Sequence, residues 1–365
     1  MTDNRMQWIR NLEALPGARE PYAVEYELGS ECYIPGLLDY ADGSIICAPM
    51  GTEASRDGLW LYNLILRFPT GHRTPNWTAN KKGYYFKDGI LGELRALLSV
   101  FFRCRFYLLS SSMRPTDARL GVTIKTDYPF IRVRCNPGIH PPVFESANKN
   151  LAEGFSGFLD RVKLLDHTRH QNFILACHHY SRAVREVGVD PEMVFIRLVS
   201  AIETLSQDTK LTRKEDVLEQ QKIVDLIAHS KLSAEYKSEL QSIFDVRKSR
   251  KKFVRFVEEH CKGFFKGGNV KGRHLKIKKV NLPKILNIIY IARSKYLHGG
   301  EPMFLSTPLK GGEKWDFDPV ISMIADNRSL SATQKLPYGY FFEGLVRHCL
   351  LNYLVKHSSD RTETP

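Results

Sequence analysis

The sequence predicts an α+β N-terminal domain followed by an all-α helical bundle. Apolar and polar residues alternate with period two from Tyr22, whereas apolar residues recur at helical spacing through most of the second half. Turn-forming residues at Asn136-Pro137-Gly138 and Pro141-Pro142 separate the two patterns. The length of 365 residues also favours two domains. We therefore predict domains at residues 1–145 and 146–365.

The N-terminal domain is predicted to be mixed and mostly β. It begins with an amphipathic helix from about Met6 to Leu15, which ends at Pro16-Gly17, and a second helix is expected at about 88–102. Strands are predicted at about 22–28, 44–48, 59–68, 105–110, 120–126 and 130–135. This domain resembles no family that we recognise, and we expect a sensor or regulatory module.

The C-terminal domain is predicted to be almost entirely helical. Asp190-Pro191-Glu192 has the order of an N-cap, a proline at the first helical position and a first-turn carboxylate. Ser233 is a second N-cap candidate. We predict helices near 148–165, 170–187, 190–207, 212–230, 233–261, 281–298 and 337–357, with a long loop at 299–336.

Composition is typical of a water-soluble folded protein, because 43% of the residues are hydrophobic and no apolar run approaches the length of a membrane span. The seven cysteines are scattered and form no Cys-x-x-Cys pair, which favours free thiols in a reducing compartment. The first twenty residues lack the apolar segment of a secretory signal. We therefore expect a cytoplasmic protein with no membrane partner.

Positive charge is concentrated in one segment. The formal net charge is +13, and residues 245–280 hold 13 basic and 3 acidic side chains, a net charge of +10. Such a local excess is typical of a surface that binds a polyanion. The candidates for phosphate contacts at its end are Lys262, Lys266, Lys271, Arg273, Lys276, Lys278 and Lys279. The alternative is a solvated loop, and Phe253 and Phe256 fit a buried helix face better than a base-stacking surface.

The helix after this segment ends in polar residues. Gly299 is predicted to end it as a left-handed residue, two turns after Arg293. Ser294 and His298 are four positions apart and share a face. Arg293 and His298 are five positions apart, so they point about 140° away from each other on a straight helix.

An arginine and a histidine that converge on one point can support phosphodiester chemistry. The guanidinium holds a phosphate oxygen with paired donors and stabilises growing negative charge. The imidazole exchanges protons near neutral pH. RNA carries its own nucleophile, the 2′-hydroxyl, so no metal is required in principle. The alternative is that Arg293 and His298 only interact with the negative end of the helix dipole.

Residues 293–300, Arg-Ser-Lys-Tyr-Leu-His-Gly-Gly, resemble the signature of HEPN domains, in particular the Apea-like HEPN group. That signature is an arginine, a polar residue, and a histidine four to six positions after the arginine. Residues 195–205 resemble the family's earlier core helix, with an Ala-x-Glu-x-Leu pattern that contains Glu203, and residues 345–351 resemble its closing helix. The resemblance covers about residues 165–357, roughly half of the chain.

This resemblance implies a helical bundle that pairs with a second copy, which brings two Arg/His ends into one cleft. Many HEPN domains are metal-independent endoribonucleases of prokaryotic antiviral or toxin–antitoxin systems, and others bind without cutting. By this resemblance Arg293 binds the scissile phosphate, His298 is the general base or acid, and Ser294 donates a hydrogen bond nearby. Glu203 is a candidate for orienting Arg293 or His298; the alternative is a surface glutamate near a helix end.

We therefore expect an endoribonuclease that forms a homodimer or a higher homo-oligomer and needs no cofactor, with RNA guided to the cleft by the lysines of residues 262–279. A rival from another class is a HEPN-type protein that binds RNA or a nucleotide, or scaffolds a complex, without cutting. A third alternative places the main activity in the N-terminal domain.

A group of histidines around residues 167–179 has the composition of a metal site. It contains His167, His170, Cys177, His178 and His179, but no carboxylate or cysteine pair completes a tetrahedral set at familiar spacing. We interpret these residues as partly exposed histidines on an amphipathic helix and predict no metal.

Overall fold

The computed structural model describes residues 7–18, 21–55, 58–69, 89–114, 123–124, 150–187, 190–211, 214–265, 279–303, 336 and 339–359. The chain divides into two units, one of Met1–Asp190 with Leu354–Pro365 and the other of Pro191–Tyr353.

A six-stranded antiparallel sheet is the main feature of the first unit. Its strands are β1 (Tyr22–Ser30), β2 (Leu38–Tyr40), β3 (Ile45–Pro49), β4 (Trp60–Phe68), β5 (Tyr107–Arg114) and β6 (Thr123–Ile124). They lie in the order β2-β3-β4-β1-β5-β6, and every neighbouring pair is antiparallel. Tyr62, Leu64 and Leu66 are buried at alternate positions of β4, which is the period of two from which the strand was predicted.

The sheet differs from the sequence prediction in two strands. The three-residue β2 was not predicted, and of the strand predicted at 120–126 the structure describes only Thr123–Ile124, as β6. The predicted strand at 130–135 lies outside the described residues.

The described helices of the first unit are α1 (Gln7–Ala14), α2 (Gly89–Phe102), α3 (Phe155–Leu164) and α4 (His167–Glu186). α2 is almost wholly buried and packs against α4. The Phe101 ring lies 5.2 Å from that of Phe155 and 5.3 Å from that of Phe158, so α2 and α3 share an aromatic core. Asp166 caps α4, since its carboxylate accepts a hydrogen bond from the N–H of Arg169.

α2 also carries a buried carboxylate. Glu93 is 1% exposed, and its Oε2 accepts a hydrogen bond of 3.1 Å from the backbone N–H of Trp8, in the first turn of α1. The first N–H groups of a helix have no partner within that helix. Glu93 satisfies one of them and joins α1 to α2.

The second unit contains five described helices. They are α5 (Pro191–Ser206), α6 (Lys214–His229), α7 (Ala234–His260), α8 (Leu282–Gly299) and α9 (Gly339–Ser359), of which α9 belongs to this unit up to Tyr353. Each overlaps a helix predicted from the sequence. Ser233 caps α7 by accepting a hydrogen bond from the N–H of Tyr236, as predicted. α5 packs against both α7 and α8, which places its middle in the core of the unit.

The predicted domain boundary at 145/146 lies outside the described residues. The division between the two units falls between Asp190 and Pro191, because α3 and α4 share their apolar contacts with α2. The coarse prediction of an α+β architecture with a helical second part agrees with the structure. Among the described helices, none combines the length and the apolar character needed to cross a bilayer.

Candidate functional site: the polar end of α8

α8 changes from buried to accessible along its length. Its first half contributes buried residues to the core, ending with Ile289 and Tyr290, and no residue from Ile291 onward is buried. Gly300, rather than the predicted Gly299, is the left-handed residue at its end, with φ of 66°. The N–H of Gly300 donates a 3.1 Å hydrogen bond to the carbonyl of Tyr296. Either of the two adjacent glycines can adopt this conformation without steric cost, and the helix ends one residue later than predicted.

Arg293 is held by a partner on another helix. Its Nη2 lies 2.8 Å from Oε2 of Glu203 on α5, and the two side chains are 19% and 23% exposed. Glu203 was predicted to orient Arg293 or His298, with a surface glutamate as the alternative. In the structure Glu203 pairs with Arg293.

Tyr290 completes this group. Its hydroxyl donates a hydrogen bond to Glu203, and its ring centroid lies 6.0 Å from Cζ of Arg293. Burial, followed by the charge and hydrogen bond of Glu203, raises the pKa of Tyr290, while Arg293 and Arg250 oppose the rise. The tyrosine therefore stays protonated and acts as a donor. Glu203, Tyr290 and Arg293 form what we call the α8 cluster.

Ser294 and His298 lie in the second half of α8, which solvent can reach. Ser294 is half-buried and His298 is exposed in the last turn. Within the described part of the chain, the structure records no hydrogen bond or ion pair between His298 and Arg293. Their five-residue separation accounts for this, since Arg293 turns toward α5. One chain thus positions the arginine and leaves the histidine directed to solvent.

The basic segment is described only at its edges. Lys262 and Lys279 are exposed, whereas Lys266, Lys271, Arg273, Lys276 and Lys278 lie outside the described residues. Some basic side chains on α7 already have partners, because Arg255 forms ion pairs with Glu258 and Glu259 and Lys252 donates a hydrogen bond to the carbonyl of Gln207. The positive charge available to a ligand in the described part of residues 245–280 is therefore smaller than the net charge of +10 counted from the sequence.

The phenylalanines near this segment belong to the core. Phe253 and Phe256 are 0% and 1% exposed, which confirms the prediction of a buried helix face. Phe264 is also buried, against Phe341 and His348. These three rings are not available to stack on bases.

Tyr290 and Arg250 are the members of this site that sequence reasoning missed. Tyr290 precedes Arg293 by one helical turn, so its place beside the arginine could have been inferred from spacing. The approach of Arg250 depends on how α7 packs against α8, for which the local sequence holds no signal.

The histidines of α4 are not equivalent. His178 and His179 are half-buried, as predicted, but His170 is only 4% exposed, and the prediction of partial exposure is wrong for it. Burial, and to a lesser extent the nearby His167, lowers the pKa of His170 to about 3. Among the described residues, no three His, Cys, Asp or Glu side chains are grouped so as to hold a metal ion.

No protein-family model, curated protein or solved structure matches this chain. The HEPN assignment therefore stays a prediction from the sequence segments quoted above.

Proposed function

We propose that this protein is a metal-independent endoribonuclease of the HEPN type, whose site is completed by two copies of the chain. Arg293 binds the scissile phosphate, His298 exchanges the proton, and Ser294 donates a hydrogen bond nearby. Glu203 and Tyr290 position Arg293. Exposed lysines, including Lys262 and Lys279, attract the RNA.

The observation that carries the proposal is the Glu203–Arg293 pair at the accessible end of α8. A single oxygen of Glu203 contacts Nη2, and a guanidinium has five N–H donors, so the pairing leaves donors for a phosphate oxygen. A fixed guanidinium also avoids the reorganisation that a free arginine undergoes as charge develops. The pair thus supports a positioning role for Glu203.

Two copies are needed because Arg293 turns toward α5 while His298 points to solvent. A second α8 end that faces the first brings the histidine of one copy to the arginine of the other. Exposed Ile291 and Leu297, 40% and 46% accessible, offer apolar area beside the polar residues for this pairing. The 2′-hydroxyl loses its proton to one imidazole and its oxygen attacks the adjacent phosphate. The bond between phosphorus and the 5′-oxygen breaks, and a protonated imidazole donates a proton to the leaving 5′-oxygen.

The second candidate is an RNA- or nucleotide-binding protein that does not cut. The same ion pair favours it, because Glu203 neutralises much of the charge of Arg293, and one chain does not bring Arg293 and His298 together. Salt-dependent RNA affinity without cleavage products is the expected behaviour of this candidate.

Labelled RNA incubated with the purified full-length chain in EDTA tests the proposal. We expect Arg293→Ala and His298→Ala to reduce cleavage by roughly 100-fold or more, which is the usual loss on removing an electrostatic or acid–base group. Lys284→Ala, at an exposed position of the same helix, is the matched control and should cleave as the wild type does. Equal rates for all four proteins would mean that a contaminant cuts the RNA and would overturn the proposal.

A mixing experiment tests the two-copy site. Co-expressed, differently tagged Arg293→Ala and His298→Ala chains form mixed dimers that keep one arginine and one histidine between them. We expect such dimers to recover a substantial part of the wild-type activity. If they stay as inactive as each parent, the site does not combine residues from two copies.

A further inference from the structure

The antiparallel pairing of β1 with β5 places two cysteines opposite each other. Leu28 pairs with Leu108 and Gly29 with Tyr107, so the same register extended beyond the strands sets Glu31 against Arg105 and Cys32 against Cys104. The ion pair between Glu31 and Arg105 holds together the two residues that precede and follow these cysteines in the chain. Directly opposed residues of an antiparallel pair have Cα atoms about 4.5–5.5 Å apart, which lies within the range for disulfides.

The two thiols are in contact. The S–H of Cys104 donates a hydrogen bond to the sulfur of Cys32. Cys104 is fully buried, whereas Cys32 is partly accessible. Arg103, which directly precedes Cys104, has φ of 57°, a conformation that a non-glycine residue rarely adopts. The sharp change of chain direction there sets Cys104 facing Cys32.

The backbone around Cys32 is fixed by a buried tyrosine. The hydroxyl of Tyr62 donates a 2.6 Å hydrogen bond to the carbonyl of Cys32 and accepts one of 2.7 Å from the N–H of Ile34. Tyr62 is itself fully buried on β4. The position of the Cys32 thiol is therefore set by the sheet and not by a free loop.

The environments of the two sulfurs favour different roles. The hydrogen bond from Cys104, assisted by Arg105, lowers the pKa of Cys32 in spite of burial and the nearby Glu31. Burial raises the pKa of Cys104 well above its usual value. Cys32 is therefore the better nucleophile of the two. Cys104 is the thiol that can react with Cys32 after Cys32 has been oxidised.

We propose that Cys32 and Cys104 are an oxidation site that a hydroperoxide converts reversibly into an intrachain disulfide. The Cys32 thiolate attacks one peroxide oxygen, the O–O bond breaks, and Cys32 becomes a sulfenic acid while the leaving oxygen takes up a proton. The Cys104 sulfur then attacks the Cys32 sulfur, the S–O bond breaks, and water leaves with the Cys104 proton. With hydrogen peroxide, two thiols and one peroxide give one disulfide and two waters. A dithiol reverses the reaction by exchange.

The other described cysteines serve as internal controls. Burial raises the pKa of Cys47 to about 12 and of Cys177 well above its usual value. Cys261 and Cys349 lie near each other, but they are 1% and 0% exposed and both have raised pKa values. Each of these thiols is shielded and protonated, which disfavours reaction with peroxide.

Peptide mapping of the reduced full-length chain after treatment with one equivalent of hydrogen peroxide tests this site. A proteinase that cleaves after acidic residues cuts at Asp39 and so separates Cys32 from Cys47. We expect a peptide pair linked through Cys32 and Cys104, the loss of two thiols per chain, and recovery of both with dithiothreitol. Cys32 remaining reduced, or linked to any other cysteine, would overturn the proposal.

Two variants separate the roles of the sulfurs. Cys104→Ser should stop at the sulfenic acid, so that dimedone labels Cys32, and Cys32→Ser should leave Cys104 unreacted. Cys47→Ser is the matched control and should form the disulfide as the wild type does. Labelling of Cys104 in the Cys32→Ser chain would contradict the assignment of Cys32 as the attacking thiol. None of these readouts depends on RNA cleavage.

Discussion

A glutamate, an arginine and a tyrosine come together in each of the two units, and the two groups differ in their exposure to solvent. In the sheet unit Glu31 pairs with Arg105 and accepts a 3.0 Å hydrogen bond from the Tyr107 hydroxyl. The Arg105 side chain is only 4% exposed and also donates to the carbonyl of Val187. In the α8 cluster the corresponding arginine is 19% exposed and is followed by accessible polar residues.

This difference shows how burial decides the role of the same residue types. A buried group stabilises the fold, whereas a group that solvent reaches can also contact a ligand. A buried ion pair leaves no donor for a ligand and is costly to break, because the remaining charge is removed from water. A partly exposed pair contributes less to stability but fixes the direction of a charge that solvent and ligands can reach. We therefore expect removal of one partner to destabilise the sheet unit strongly and to inactivate the α8 site.

The largest expected effect is on the sheet unit. Arg105→Ala removes the ion-pair partner of the largely buried Glu31, which keeps the hydrogen bond from Tyr107, and this costs about 3–5 kcal/mol of unfolding free energy. Urea denaturation of the purified chain measures this loss. The double variant Glu31→Ala/Arg105→Ala should be less destabilised than the sum of the single variants. Strict additivity would show that the two side chains do not interact.

The histidines extend the same comparison to pH. The pKa of His170 is lowered from 6.5 to about 3. Between these two pH values His170 is therefore mostly protonated in the unfolded chain and mostly neutral in the native chain. The contribution of His170 to stability is thus complete above pH of about 6.5 and falls as the pH falls toward 3, by about 2 kcal/mol between pH 7 and pH 5. Urea titrations at both pH values measure it.

His170→Leu should remove this part of the acid sensitivity, whereas His298→Leu, at an exposed position, should keep it. If His170→Leu is as sensitive to acid as the wild type, buried His170 is not the group responsible.

A smaller effect on stability is expected in the α8 cluster. Glu203→Ala removes the ion-pair partner of Arg293, whose charge is partly exposed to solvent, so the unfolding free energy should fall by only about 1 kcal/mol. RNA cleavage should drop by roughly tenfold, because Arg293 loses its orientation. Paired urea and cleavage assays on one preparation measure both quantities. A loss as large as that expected for Arg105→Ala, with unchanged cleavage per folded molecule, would give Glu203 a structural role.

The smallest effects are expected from the two tyrosines. Tyr107→Phe and Tyr290→Phe each remove one hydroxyl that donates to a glutamate, at a cost of about 1 kcal/mol. Only Tyr290→Phe should also lower RNA cleavage, by a few-fold, since only it supports Arg293. Equal effects of the two variants on cleavage would remove the distinction between the clusters.

The sequence predicted the helices well because their apolar residues recur along faces that are in fact buried, as in the first half of α8. It missed β2 because a three-residue strand is too short to show alternation. The burial of His170 could have been predicted, since Phe173, Ile174 and Cys177 follow it on the same helical face.

Contacts between distant segments were beyond the reach of local patterns. Cys32 and Cys104 face each other only because β1 and β5 pair in one register, and a shift of one residue would part them. The Glu203–Arg293 contact joins residues 90 positions apart in the chain. Family resemblance suggested Glu203 as a partner, but spacing alone did not select Arg293 over His298.

The hydrogen bond between Trp8 and Glu93 has a consequence for synthesis of the chain. The two residues are 85 positions apart, so a ribosome adding about 5–20 residues per second makes Glu93 roughly 4–17 s after Trp8. During that interval the first turn of α1 lacks its carboxylate, and the large Trp8 ring has no α2 to pack beside. The N-terminal segment therefore spends seconds as exposed nascent chain, a period in which a chaperone that binds aromatic side chains can reach it.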